Sequence, residues 1–203
     1  IARKCSVCGK TTTSTLYAPK TVTLSAASYT YDGKAKKPSV TVKDSKGNKI
    51  GSRYYTVSYP SGRKNVGKYT VKVTFKGNYI GSKSATFAIK PKGTSVSKVK
   101  AAKKGFKVTW KKQAAQTTGY EVQYSTASNF KKGTKTVTVS KNKTTSKSVS
   151  KLSAKKKYYV RVRTYKTVKV NGKNVKLYSG WSKAKSVTTK KKFCFGFSIP
   201  VGA

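Results

Sequence analysis

The chain has 203 residues and a formal charge of +44, from 47 lysines and arginines against three acids. It has no histidine, which excludes imidazole general-base chemistry and any Ser-His-Asp triad. With 14 Tyr, seven Phe and two Trp among many Val and Thr, it is too rich in aromatic and β-branched residues for a disordered polycation. No run of about 18 apolar residues is present to span a membrane as a helix.

The acids suggest no carboxylate pair. Asp32 in "YDGK" and Asp44 in "KDSKGNK" occupy turn-like settings, Glu121 lies on a predicted strand, and none has a clearly buried setting. The chain therefore reads as a non-enzyme without a cofactor. It begins at Ile1 and contains no Met, which reads as a processed or excised segment.

Residues 1–18 contain Cys5 and Cys8 as one C-x-x-C followed by Gly9 and Lys10. A structural zinc needs four ligands, and the remaining Cys, Cys194, lies near the opposite end. Cys5 and Cys8 are thus at most half a zinc site, and the favoured reading is a free or disulfide-linked pair without metal.

From Pro19 to Pro91 the text alternates between strands and turns. "TVTLS", "SVTVK", "YYTVSYP" and "SATFAIK" are short strands, with turn signals at Asp32-Gly33 and Lys46-Gly47-Asn48. "KYTVKVTF" puts Tyr69, Val71, Val73 and Phe75 on one face and Lys68, Thr70, Lys72 and Thr74 on the other. Short strands without a helical period indicate a small β-sandwich. The ordered set "YTYDGKAKKPSVTV", "RKNVGKYTVKVTFKGNYIGS" and "ATFAI" resembles the bacterial immunoglobulin-like repeats of the YDG/MBG kind. That resemblance implies an extracellular or cell-surface setting, in secreted or surface proteins of gut Firmicutes, and an immunoglobulin-like domain over about 19–91.

A second pattern covers 92–190. Phe106, Val108 and Trp110 share a face in "KGFKVTWKK", as do Tyr120, Val122 and Tyr124 in "GYEVQYS". "TKTVTVS" is a further strand, and Leu152 precedes Tyr158 by six residues. Asn171-Gly172 supplies two positive-φ residues for a tight hairpin. With "SGWS" at 179–182, this set resembles a fibronectin type III domain. The resemblance implies a core of Trp110, Tyr120, Leu152, Tyr158 and Trp181, and says little about function. The fold expectation for the whole chain is all-β: two tandem immunoglobulin-like β-sandwiches end to end, joined by a short linker near "KPKGTSVS".

The stretch "YYVRVRTYKTVKV" at 158–170 raises the functional question. Its even positions, Tyr158, Val160, Val162, Val168 and Val170, are expected to pack on Trp110 and Tyr120, with Lys166 marking a bulge or the sheet's end. Its odd positions, Tyr159, Arg161, Arg163 and Tyr165, are expected to look outward. Tyr beside Arg suits phosphate, sulfate or sugar ligands, so these four are the candidate ligand-binding residues. The outer face of an antiparallel sheet is also normally polar, and the favoured reading gives it no specific ligand. The tail, "FCFGFSIPVGA" over 193–203, loses lysine and gains Phe, and reads as a truncation tail in preference to the start of another module.

The bulk charge predicts salt-sensitive attraction to polyanions. Lys dominates Arg and is spread over both domains, without a clustered face or nucleic-acid motif, so no sequence-specific nucleic acid is expected. The partners expected are teichoic acid, anionic glycans or an acidic protein. The function expected is a structural or adhesive segment of an extracellular bacterial protein. The alternative is a carbohydrate- or polyanion-binding accessory module of a secreted hydrolase.

Overall fold

Alternation of side chains sets the architecture. Along Gly67–Phe75, Val71, Val73 and Phe75 are buried, while Lys68, Thr70, Lys72 and Thr74 are exposed, as a strand with one dry face requires. In the computed structural model, which describes residues 2–191 apart from Cys5 and Ser14, this pattern recurs in strand after strand. No α-helix is found among the described residues. The 193–203 tail, with Cys194, lies outside them, and Cys8 is an exposed free thiol.

The chain divides into two compact units. One takes the residues up to Tyr29 together with Gly33–Ile89; the other takes Thr30–Asp32 and the chain from Lys90 onward.

The first unit opens with a hairpin of β1 (Ala2–Lys4) and β2 (Thr11–Thr13), paired antiparallel. Strand β3 (Pro19–Leu24) pairs with β5 (Val40–Asp44). A second sheet has the order β4 (Ser28–Thr30), β8 (Ser82–Lys90), β7 (Gly67–Phe75), β6 (Tyr55–Ser58). Val42, Ile50, Tyr55, Val73, Phe75 and Tyr79 form one core cluster. The Phe87 ring stacks on Tyr69 at 5.4 Å and meets Tyr29 edge-on at 5.9 Å. Burying the Phe87 ring, 1% exposed, is worth about 1.5–3 kcal/mol. The expected Lys46-Gly47-Asn48 turn is closed by Asp44, whose Oδ1 accepts hydrogen bonds from the backbone N–H of Lys46 (2.8 Å) and Asn48 (2.9 Å).

The second unit packs two sheets. One has the order β13 (Ser146–Val149), β10 (Gly105–Trp110), β9 (Val96–Ala102). The other runs β12 (Lys135–Val139), β11 (Gly119–Ser125), β14 (Lys157–Val170), β15 (Lys173–Tyr178), with β16 (Lys185–Thr188) also on β14. Phe106, Val108 and Trp110 face Tyr120, Val122 and Tyr124, joined by Leu152, Tyr158, Val160 and Val162. Trp110 lies 5.2 Å from Tyr120. The Tyr120 hydroxyl, at the edge of this core, accepts from the Gln113 N–H (2.8 Å) and donates to the Asn142 carbonyl (3.0 Å).

Two expectations about β14 need correction. Val168 and Val170 are half-buried and do not join the Trp110–Tyr120 core. Pairing with β11, the strand that carries Tyr120, ends at Tyr165, and beyond it β14 continues as one arm of a ribbon with β15. Lys166 also marks neither a bulge nor the sheet's end, because it pairs with Leu177 in unbroken register through to Val170↔Lys173. The turn between the arms holds Asn171 at φ 50° and Gly172 at φ 77°, as a two-residue hairpin loop of this type demands.

Candidate functional site: the Arg161–Arg163 face

Register decides which groups meet on the outer face. Antiparallel pairing sets Arg161 opposite Gln123, Arg163 opposite Glu121, Tyr159 opposite Ser125 and Tyr165 opposite Gly119. Directly opposed side chains lie about 4.5–5.5 Å apart at Cβ, so each guanidinium has an acceptor within reach. Nε and Nη2 of Arg161 donate to Gln123 Oε1 at 2.8 and 2.5 Å. Nε and Nη2 of Arg163 donate to Glu121 Oε2 at 3.0 and 2.7 Å.

The flat faces of both guanidinium groups are covered as well. Arg161 Cζ lies 3.9 Å from the Phe130 ring and 4.8 Å from the Trp181 ring. Arg163 Cζ lies 4.2 Å from Trp181 and 3.8 Å from Tyr178. The result is a stack in the order Phe130, Arg161, Trp181, Arg163, Tyr178. Each cation–ring interaction is worth about 0.5–2 kcal/mol, more as water is excluded. Phe130 enters the stack from a left-handed backbone, φ 57°, a conformation uncommon for a bulky residue.

Trp181 is therefore half-buried on the outer face, not a core residue as expected. The reason lies in "SGWS". The Ser179 N–H donates to the Thr164 carbonyl, and the Ser182 N–H to the Val162 carbonyl. The Thr164 N–H donates to Ser179 Oγ and the Val162 N–H to Ser182 Oγ, each at 3.1 Å. Two residues, Gly180 and Trp181, thus oppose the single Arg163, as in a bulge. The extra residue reverses the side-chain parity and delivers the indole to the arginine side. Trp110, Tyr120, Leu152 and Tyr158 are all buried.

Tyr165 is the other departure. It was expected to look outward with Tyr159, Arg161 and Arg163, and it is only 2% exposed. Its cross-strand partner Gly119 has no side chain, and the ring lies over that gap: a Cβ built on Gly119 would stand 2.9 Å from the Tyr165 hydroxyl oxygen. Tyr178 packs beside it at 6.2 Å and Lys176 Nζ sits 4.7 Å from its ring. Burial pushes the Tyr165 hydroxyl's pKa up, and the nearby Glu121 charge adds to this. Tyr178 is raised for the same reasons, burial first and then its hydrogen bond to Glu121, with Arg163 opposing. Tyr159 is half-buried, with Lys157 Nζ 5.5 Å from its ring.

Glu121, a strand residue with no clearly buried setting in the sequence, is 6% exposed beneath this stack. Phe130, Gln123, Glu121 and Tyr178 are members of the group that the sequence alone did not point to. Register places Glu121 and Gln123 and ring stacking places Phe130 and Tyr178, each on a partner about 15 to 42 residues away in sequence. No group of three or more metal-ligating side chains occurs among the described residues.

Two families of known proteins match the two halves of the chain. The MBG domain model matches residues 20–93 and the fibronectin type III domain model matches 89–177. No curated protein matches the chain. Among solved structures, the FN1-FN3 domains of chicken CNTN1 share 17% identity, with 94% of this chain and 76% of that one covered and a TM-score of 0.43. A two-domain fibronectin type III segment of chicken tenascin shares 19% identity over 84% of this chain and 99% of that one, TM-score 0.43. Domains of these two kinds are typically non-catalytic modules of extracellular or surface proteins. The chain carries an MBG domain followed in sequence by a fibronectin type III domain.

Proposed function

We propose that the chain is a non-catalytic structural and adhesive segment of an extracellular bacterial protein, attracted by its positive charge to polyanions of a cell wall or host surface. The observation that supports this reading is the distribution of charge. Exposed lysines line the wet side of strands in both units, for example Lys68 and Lys72 on β7, Lys98 and Lys100 on β9, and Lys107 on β10. Asp44 is engaged in its own turn and Glu121 with Arg163, and the chain has only three acids against 47 lysines and arginines. These lysines therefore lack a matching supply of carboxylates.

Lysine acts as a hydrated point charge with little geometric selectivity. A surface so composed attracts teichoic acid, anionic glycans or an acidic protein through long-range, salt-screened forces. The Arg161–Arg163 face, the candidate for a shaped ligand site, has its donors and ring faces turned onto the protein's own groups, which favours dispersed attraction over recognition there.

The test is a binding screen against teichoic acid, sulfated, carboxylated and neutral glycans and DNA at low and high salt. Every polyanion is expected to bind at low salt and to be released together by about 0.5 M salt, as the screening length falls to a few ångströms. Absence of polyanion binding at low salt, or equal binding of neutral glycans, defeats the proposal.

A further inference from the structure

Away from the Arg161–Arg163 face, cationic side chains gather on two loops of the first unit. One connects β4 to β5 and carries Lys34, Lys36 and Lys37; the other connects β6 to β7 and carries Arg63 and Lys64. The loops are tied together at two points. The Lys36 N–H donates to the Arg63 carbonyl at 3.1 Å, and the Tyr59 hydroxyl donates to the Pro38 carbonyl at 2.6 Å. The first-unit residues of these segments, 33–39 and 59–66, hold five cations and no acid; Asp32, which precedes them in sequence, belongs to the other unit.

Tyr59 is the pivot. Lys37 Nζ, from one loop, and Arg63 Cζ, from the other, each lie 5.6 Å from the centre of its ring. Lys36 Nζ lies 5.7 Å from the neighbouring Tyr29 ring. Burial raises the Tyr59 hydroxyl's pKa, and the Arg63 charge opposes that rise, as expected of a cation held close by. Two cations from separate loops are thus held against one ring.

Arg63 also differs from Arg161 and Arg163 in what its donors reach. Its Nη1 donates to the Pro60 carbonyl at 3.1 Å. Its Nε is buried and has no hydrogen-bond partner, whereas Nε of Arg161 and of Arg163 each has a side-chain acceptor. A buried polar atom without a partner in a folded protein calls for a specific explanation, such as an ion or water. A guanidinium with an unused donor matches the oxygens of a tetrahedral oxyanion better than lysine does.

We infer that the Lys37–Tyr59–Arg63 loop pair is a shaped oxyanion site, which takes a sulfate or phosphate ester carried on an extended polymer. The inference rests on the polyanion attraction proposed above and adds a place and a chemistry to it. The lysines elsewhere supply encounter; this pair supplies retention at salt concentrations that screen the rest.

The experiment uses the full chain with dextran sulfate, which carries sulfate esters, and with dextran phosphate, which carries phosphate esters on the same backbone. Variants Lys37→Gln, Arg63→Gln and the double are compared with Lys107→Gln/Lys147→Gln, which removes the same two charges from exposed positions of the second unit. The double loop variant is expected to bind at least tenfold more weakly at about 0.3 M salt. The slope of log affinity against log salt should shrink by about two, one for each cation that no longer neutralises the polymer. The control is expected to change less than twofold. Arg63→Lys, which keeps the charge and loses the fork, should fall nearly as far as Arg63→Gln. Lys37 is exposed, so Lys37→Gln separates weakened binding from failed folding, and about a threefold fall is expected. Equal weakening of the loop and control variants, with wild type still binding, overturns this site and leaves general attraction standing. No binding by wild type at low salt overturns both.

Discussion

Trp181 shows how one side chain can be placed by its neighbours' hydrogen bonds. Both faces of its indole carry a guanidinium, so Trp181→Ala leaves Arg161 and Arg163 each short of one cover. We expect the second unit to be destabilised by about 2–3 kcal/mol, from two cation–ring interactions and the apolar area no longer buried, measured by urea unfolding. Glu121→Ala removes the carboxylate from a pair whose side chains are 24% and 8% exposed for Arg163 and Glu121. It is expected to cost about 2 kcal/mol, below the range for breaking a fully buried pair because Arg163 keeps some water. Glu121→Gln should cost about half of that, since the amide can accept as Gln123 does from Arg161. At this scale the sequence was legible where period two held without interruption. It placed Tyr158, Val160 and Val162 correctly inside. It failed at Tyr165 and Trp181, where a missing side chain on Gly119 and an extra residue in "SGWS" altered what each ring meets. Neither effect can be read from a single strand, because each depends on its partner.

The strands and their turns respond to change in ways that sequence alone ranks poorly. A Cβ on Gly119 would lie 2.1 Å from the Val139 carbonyl oxygen, whereas one on Gly180 would meet nothing within 4 Å. Gly119→Ala is therefore expected to cost about 3 kcal/mol or more, by forcing β11 and β12 apart. Gly180→Ala should stay within about 0.5 kcal/mol. Thermal melts of the two variants test this directly. The β5 turn makes a different prediction. Burial pushes the Asp44 carboxyl up, but its hydrogen bonds from Asn48, Lys46 and Gly47 outweigh burial and hold it below the ordinary 3.8. A carboxyl with a depressed folded value stabilises fully above its unfolded value, and that stabilisation fades as pH falls through the folded value. Wild type should thus lose stability in the first unit below about pH 4, while Asp44→Asn should start lower at neutral pH and lose less, so that the two melting curves converge on acidification. The turn itself was evident from "KDSKGNK"; the depth of the carboxylate within it was not, because hydrogen-bond geometry leaves no mark on composition.

For the whole molecule, charge dominates. At +44 the folded state holds its lysines closer together than the unfolded chain does, and their mutual repulsion opposes compaction. Added salt should therefore stabilise this protein. Raising sodium chloride from about 0.02 to 0.5 M is expected to raise the melting temperature by about 5 °C, the shift that about 1 kcal/mol gives a domain of this size. An unchanged or lower melting temperature would show that the lysines are too widely spaced to repel each other. The all-β class and the order of the two domains were legible because alternation and turn residues are local signals. The oxyanion loop pair was not, because its two halves are separated by about 25 residues and meet only after the sheet has formed.

The lysine rows on the strand surfaces have a practical consequence for following this protein's motions. Trypsin cleaves after lysine and arginine, and with 47 of them almost every segment that comes loose offers it a bond to cut. Paired strands hide those bonds until they open. The order in which fragments are released under native conditions would then read out the order of local opening. The first cuts are expected in the connections that hold Lys131 and Lys132, and Lys151, Lys155 and Lys156, outside the strands. The last are expected within β7, β11 and β14, so that the same positive charges that draw polyanions also serve as a built-in probe of which strands yield first.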